Sequence, residues 1–229
     1  MKVRTNPYDH DRDGHDLTGE ALHARLEKTW GRQPGLWGWL STVDHKEVAR
    51  RYLITAFVFM ILGGILAALI RLQLARPESG LIDPDRYNQI FTMHGTTMMF
   101  LFAVPVMEAM AVYLIPLMLG TRNIAFPRLN AFSYFVYLSG GTLLWVAFVM
   151  DVGPDAGWFS YVPLAGPEYS PGKRVDVWAQ MVTFTEVAAL AVAVEIVATT
   201  RDESSENVMN CAHTSARLPM PNSGPASGT

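Results

Sequence analysis

Two stretches of this chain run for about twenty positions without a charged residue: "YLITAFVFMILGGILAALI" (52–70) and "AFSYFVYLSGGTLLWVAFVM" (131–150). A helix of that length matches the thickness of a bilayer's hydrocarbon core. A helix on the surface of a soluble domain would carry a polar stripe, and neither stretch has one. Two further apolar blocks meet the same length test, 91–120 with one Glu and one His and 177–200 with two Glu. The expected fold is therefore all-α, a polytopic membrane protein with four transmembrane helices at about 52–75, 89–119, 131–151 and 177–200. Residues 1–51 read as a polar segment ahead of the membrane domain. Its length and charge are not those of a cleavable signal peptide. Residues 201–229 are rich in Ser, Pro, Asn and Gly, show no apolar periodicity, and are expected to be a disordered tail.

Several function classes drop out early. The only cysteine, Cys211, cannot form an internal disulfide or a cysteine-built metal site. A net charge of −3 points away from a nucleic-acid partner. No glycine-rich phosphate loop or catalytic-triad spacing occurs. Positive charge beside the helices (Lys46, Arg50, Arg51, then Arg122 and Arg128) places both termini and the link 121–130 on the cytoplasmic side. Links 71–90 and 151–176 are then outside.

His94, within "FTMHGTTMMF" (91–100), is the one histidine of six set in a lipid-length helix. Ionisable groups inside a membrane are rare and are functional candidates by default. On the topology above, Arg71 at the exit of the first helix and His94 share a leaflet, with His94 about one turn inside the second helix. Trp158 in the outer link could cover both. Haem would use this pair, iron for the imidazole and polar edge groups for the guanidinium. Gly95, Thr96 and Thr97 would let a flat macrocycle approach, and Met98, Met99 and Phe100 would pack its face. The bland alternative is that His94 hydrogen-bonds a neighbouring helix.

Three carboxylates also lie in the spans. Glu186 and Glu195 are nine residues apart, about 180° around one helix, so they face opposite sides. Glu195, six residues from the expected cytoplasmic end, is the better candidate for the interface. Glu108 follows His94 by fourteen residues, about 40° around and about 21 Å along a continuous α-helix. Each is either a packed neutral acid or a proton carrier.

From about residue 40 to 200 the chain resembles the haem–copper oxidases, specifically the subunit I family of cytochrome c oxidase. The matching stretches are "STVDHKEVARRY" (41–52), "LIRLQLA" (69–75), "YNQIFTMHGTTMMF" (87–100), "IPLMLGTRNIAFPRLN" (115–130) and "GWFSYVPLAG" (157–166). The resemblance implies that His94 is one axial ligand of the low-spin haem, Arg71 lies at that haem's edge and Trp158 lies by its propionates. It implies aerobic electron transfer from cytochrome c or a similar donor, coupled to proton translocation. Other oxidase subunits are implied as partners and a bacterial inner membrane as the location. A complete protein would add a second haem and copper.

The departures from the pattern are equally informative. The family has twelve helices and this chain four. The opposite axial histidine, the copper histidines and the oxygen-reducing haem's ligand lie in later helices, so no catalytic residue is expected in this fragment. Where many members carry an aspartate at a proton-channel mouth this chain has Asn123. The usual paired asparagines are Asn130-Ala131, and a glycine-rich run of the second helix reads "EAMAV" (108–112). An asparagine cannot shuttle a proton as a carboxylate does. The proton-path candidates are thus Glu108, Asn123, Asn130, Glu186 and Glu195. Residues 201–229 match nothing in the family, as in a truncated or frame-shifted reading; a native regulatory tail is the alternative. Two other classes stand beside the oxidase reading. One is a non-catalytic membrane haem-binding or assembly protein. The other is a transporter, which the lack of an inverted repeat or broken helix disfavours.

Overall fold

The computed structural model describes residues 19–21, 23–24, 35–77, 79–121 and 123–215, by backbone alone from 202 onward. The described elements are α1 (Gly35–Ser41), α2 (His45–Gln73), α3 (Pro84–Thr96), a π-helix (Thr97–Ala103), α4 (Val104–Leu119), α5 (Pro127–Val149) and α6 (Arg174–Ser215). No strand occurs among the described residues. The first unit ends at Thr42 and its described residues include α1, where Ser41 Oγ donates back to the Gly38 carbonyl (3.4 Å). The second unit runs from Val43 onward.

Four helices there are long and apolar enough to cross a membrane: His45–Gln73, Pro84–Leu119, Pro127–Val149 and Arg174–Arg201. The spans expected from hydropathy are all present, but their starts lie earlier. Asp44 caps α2, its Oδ1 accepting from Lys46 N (3.0 Å), and Asp83 caps α3 with Pro84 following. Such caps satisfy amides that no helical carbonyl reaches. Residues 45–51, assigned by sequence to the polar segment, are thus the first turns of α2.

The second span is not one continuous α-helix. Pro105 has no N–H, so the Leu101 carbonyl loses its ordinary i→i+4 donor. The chain widens into a π turn over Thr97–Ala103, where Val104 N donates five residues back to Met99 O. Tyr137 Oη on α5 donates to the Leu101 carbonyl instead (2.7 Å). The far end of α6 departs from expectation as well. The backbone stays helical to Ser215, although the sequence reading ends it at Thr200. No glycine or proline occurs between Arg174 and Leu218, so nothing breaks the helix there. Residues 216–229 of the expected disordered tail lie outside the described residues.

The spans pack up and down. Helix α2 lies along α3, the π turn, α4 and α5; α6 lies along α5 and α4. The near end of the bundle, where α2 begins, is closed by Asn123 against Val43 and His45 and by Ala125 against Thr199. The far end is closed by Arg86 to Asp151 (2.9 Å) and by Arg174, which bridges Asp85 and Asp155.

Between the two ends the core is aromatic. Tyr52 stacks on Tyr137 (centroids 5.2 Å) and meets Tyr134 edge-on (5.3 Å), with Phe59 and Leu101 buried beside them. Gly141 lets α5 reach this layer. A Cβ there would stand 2.6 Å from Phe59 Cζ and 3.1 Å from Leu101 Cδ2. Gly141→Ala should therefore cost about 1–3 kcal/mol by overpacking, read as a lowered midpoint in detergent unfolding. An unchanged midpoint would show that the layer is loose.

Candidate haem ligand and its surroundings

His94 sits ten residues into α3, about 15 Å from its start, not one turn, because the helix begins at Pro84. Its ring lies 3.0 Å through Nδ1 from the Gly63 carbonyl of α2. A carbonyl can only accept, so Nδ1 carries the proton and Nε2 keeps its lone pair. No described residue hydrogen-bonds Nε2. Both readings of the sequence therefore meet in one side chain. The interhelical hydrogen bond exists, and it fixes the tautomer and ring direction that a metal-binding imidazole needs.

Glycines on both helices make close approach possible around His94. At Gly95 a Cβ would stand 2.8 Å from Trp158 Cβ, and at Gly63 one would stand 2.9 Å from Met98 Sδ. The missing Cβ atoms let Trp158 approach at Gly95 and Met98 at Gly63. Trp158 is held firmly. The neighbouring Gly157 N donates to Thr92 Oγ1 (2.8 Å), Trp178 Nε1 donates to the Trp158 carbonyl (3.2 Å), and its ring faces Phe100 (6.3 Å). Trp158 is thus set against Gly95, the residue that follows His94.

Arg71 is less closely joined. It lies in the last turn of α2, exposed, eight residues and about 12 Å beyond Gly63 toward the far end. No described residue pairs with its guanidinium. A cation left open on the side of a membrane helix calls for an anionic or polar partner.

The donor set fits one axial position for a haem iron. It comprises one oriented imidazole with a free Nε2, one unpaired guanidinium toward the same end, and an indole packed on the residue next to the ligand. Among the described residues, no three His, Cys, Asp or Glu side chains converge as a further metal site.

The remaining candidates lie nearer the other end. Asn123 is a staple. Its Oδ1 accepts from His45 N (3.2 Å) and Ile124 N (2.9 Å) and contacts His45 Nδ1 (3.2 Å), while Nδ2 donates to the Val43 carbonyl (3.3 Å). Asn123→Ala should leave two backbone amides and a ring nitrogen without this acceptor. At about 1–3 kcal/mol per orphaned donor, a loss of about 2 kcal/mol or more is expected in detergent unfolding. A change within error would show that water replaces the side chain.

Asn130 is fully buried with neither side-chain atom hydrogen-bonded. Glu186 is exposed on the outside of α6, while Glu195 is fully buried. The opposite-sides expectation therefore describes them. Glu195 stands six residues before Arg201, where the apolar span ends, and is covered by neighbouring helices. Glu108 is half-buried. Its expected 40° offset from His94 does not apply, because the π turn between them breaks the 100° step on which that angle rests.

The sequence profile of the family described as "Cytochrome C and Quinol oxidase polypeptide I" matches residues 47–221. The chain belongs to that family. The match passes Thr200, into the stretch that the sequence reading set outside the family.

Among curated relatives, the cytochrome c oxidase subunit 1 of Alkalihalophilus pseudofirmus is 42% identical over 143 residues, covering 62% of this chain and 23% of that protein. The Bacillus subtilis subunit 1 is 38% identical over 178 residues, 78% of this chain and 28% of the relative. The Corynebacterium glutamicum subunit 1 is 37% identical over 186 residues, 80% of this chain and 32% of the relative. This oxidase-family chain thus spans less than a third of the length of the relatives it matches. With four apolar spans and this membership, it is an integral membrane protein.

Proposed function

We propose that this chain is the haem-anchoring part of a cytochrome c oxidase subunit I, with His94 as one axial ligand of a low-spin haem. The observation that carries the reading is the His94 Nδ1 bond to the Gly63 carbonyl, which leaves Nε2 directed and free. Haem bound there would supply a one-electron carrier between an electron donor and an oxygen-reducing centre.

The chain's own residues do the rest. Gly63 O orients the imidazole, and Arg71 holds a polar or anionic edge group. Trp158, packed on Gly95, covers that side of α3 and would stand by the propionates. The complete assembly would add the second haem, copper and other oxidase subunits. It would take electrons from cytochrome c or a similar donor in aerobic respiration and translocate protons. Its place is a bacterial inner membrane with the N-terminus cytoplasmic, since Lys46, Arg50 and Arg51 crowd the start of the first span. This chain alone is read as not catalytically competent.

Arg71 offers a direct test in the chain titrated with haemin in detergent. Arg71→Ala should shift the bound haem's absorption or potential and leave the stoichiometry unchanged, because it acts on the edge and not on the iron. An unaltered spectrum would remove Arg71 from the site.

A further inference from the structure

One face of α6 is polar where the membrane is deepest. Glu186 stands twelve residues after Arg174 and fifteen before Arg201, about 18 and 22 Å from the two ends of the span. Gln180, Thr183 and Glu186 recur every third residue, so they fall within about 120° of one another around the helix. All three are exposed on the outside of the bundle, whereas Met181, Thr185, Ala188 and Val192 are buried.

The described residues supply no partner for this carboxyl group. Thr183 Oγ1 donates to the Ala179 carbonyl of its own helix (2.8 Å). No described residue hydrogen-bonds the side chain of Gln180 or Glu186. Glu108 on α4, which packs along α6, is partly exposed and lies within reach of the Glu186 charge, so that flank carries two carboxyl groups. Every Lys and Arg of the four spans stands within six residues of a span end, and none is level with Glu186.

Such a stripe is not a lipid face. An ionisable or amide side chain at mid-membrane turns toward protein or water, because hydrocarbon offers it no partner. Lipid headgroups stay at the span ends, about 18 Å or more away. Side chains of a second helix reach that depth, and polar residues hold transmembrane helices together in this way. Further along, the same face turns apolar. Leu190, Val194 and Val197 are 66%, 47% and 62% exposed, beside a depression lined by Ala193, Val197 and Ala198. A helix laid along α6 would pack there and bring its own mid-span residue to Glu186. Two acids and no cation on this flank set the charge that residue must carry.

We propose that this outer stripe of α6 is a docking face for a transmembrane helix of a partner polypeptide that carries one lysine or arginine near the middle of its span. The ammonium or guanidinium group donates to the Glu186 carboxylate. Gln180, about 9 Å along α6, supplies a second polar contact less than two turns away. Each charge would be alone in its own helix, and pairing compensates both. A second copy of this chain is a poorer occupant, since a two-fold pairing sets Glu186 against Glu186 at the same depth. The docking face makes no use of haem and does not rest on the His94 assignment.

The experiment labels the only cysteine, Cys211, of the full chain in lipid vesicles. It reads energy transfer to an acceptor-labelled, leucine-rich transmembrane peptide with one lysine at its midpoint. That peptide should associate at least tenfold more tightly than the same peptide with leucine there. Glu186→Leu should abolish the preference. Glu186→Lys should reverse it, toward a peptide with glutamate at the midpoint. Circular dichroism checks that each variant is helical, and if the Leu variant does not fold, the reversal in Glu186→Lys makes the assignment. Equal binding of the lysine and leucine peptides means that the face takes lipid or any apolar helix, and the proposal fails. A lysine preference that survives Glu186→Leu lies elsewhere on the chain, and the proposal fails equally. Energy transfer between differently labelled copies of the chain that the lysine peptide does not displace identifies a second copy as the occupant, which also overturns it.

Discussion

Replacing His94 with alanine should lower the affinity of the chain for haem by roughly a hundredfold or more. Loss of support behind a metal ligand alone costs about 10–100-fold, and here the ligand itself goes. The measurement is titration of the chain in detergent with haemin, followed by absorption. Helical content should be little changed, since the apolar spans are untouched. Unfolding should move only by the value of one hydrogen bond, about 1 kcal/mol, for the Nδ1 contact to Gly63. That split separates the two roles of His94. A side chain that only tied α3 to α2 would, when removed, lower stability and leave haem uptake as it was. Retention of haem by His94→Ala would therefore withdraw the ligand assignment and leave the interhelical bond as the whole explanation.

The other large effect is expected far from any ionisable group singled out by sequence. Arg174, with its side chain 15% exposed, donates through Nη1 to Asp155 (2.6 Å) and through both terminal nitrogens to Asp85 (2.8 and 3.0 Å). The Asp155 side chain is only 6% exposed, and its other side-chain donor among the described residues is Ser170 Oγ. Arg174→Ala leaves that carboxylate buried with its charge uncompensated, which costs about 3–5 kcal/mol. Lysine should recover only part of this, because it cannot offer two parallel donors to Asp85. A denaturation series in detergent reads the cost, and protease cleavage within 151–173 reads the loosened link. Arg128→Ala, at an exposed position, serves as the control and should stay within about 0.5 kcal/mol. Equal midpoints for Arg174→Ala and the control would mean that water already screens Asp155.

The existence of four spans was legible because two runs without charge leave few soluble alternatives. Their starts were not, because Asp44 and Asp83 count against a span in a hydropathy window but favour a helix as caps. The π turn had a signal in Pro105, whose missing N–H disturbs the ladder. Nothing local says whether a helix answers by kinking or by widening; the Tyr137 hydroxyl thirty-two residues further on decides it. His94 could be singled out from its apolar setting, and its tautomer could not, since that depends on a carbonyl in another helix. That neighbouring helices cover Glu195 was not legible either, since it depends on how α6 is rotated against α5 and α4. The Arg174–Asp85 pair joins residues 89 apart in sequence, and no periodicity carries such information.

The cover beside His94 has a consequence for biosynthesis. Trp158 is held by Thr92 through Gly157, by Trp178 through its own carbonyl, and by a link whose far anchor is Arg174. Histidine and Gly63 emerge from the ribosome long before the last of these partners. During translation, then, there is an interval in which the imidazole can be oriented while that side of α3 is still bare. Only synthesis through Trp178 ends it. A cofactor delivered in that interval meets an open helix face, whereas one delivered afterwards must approach from another side or displace an indole held by three anchors.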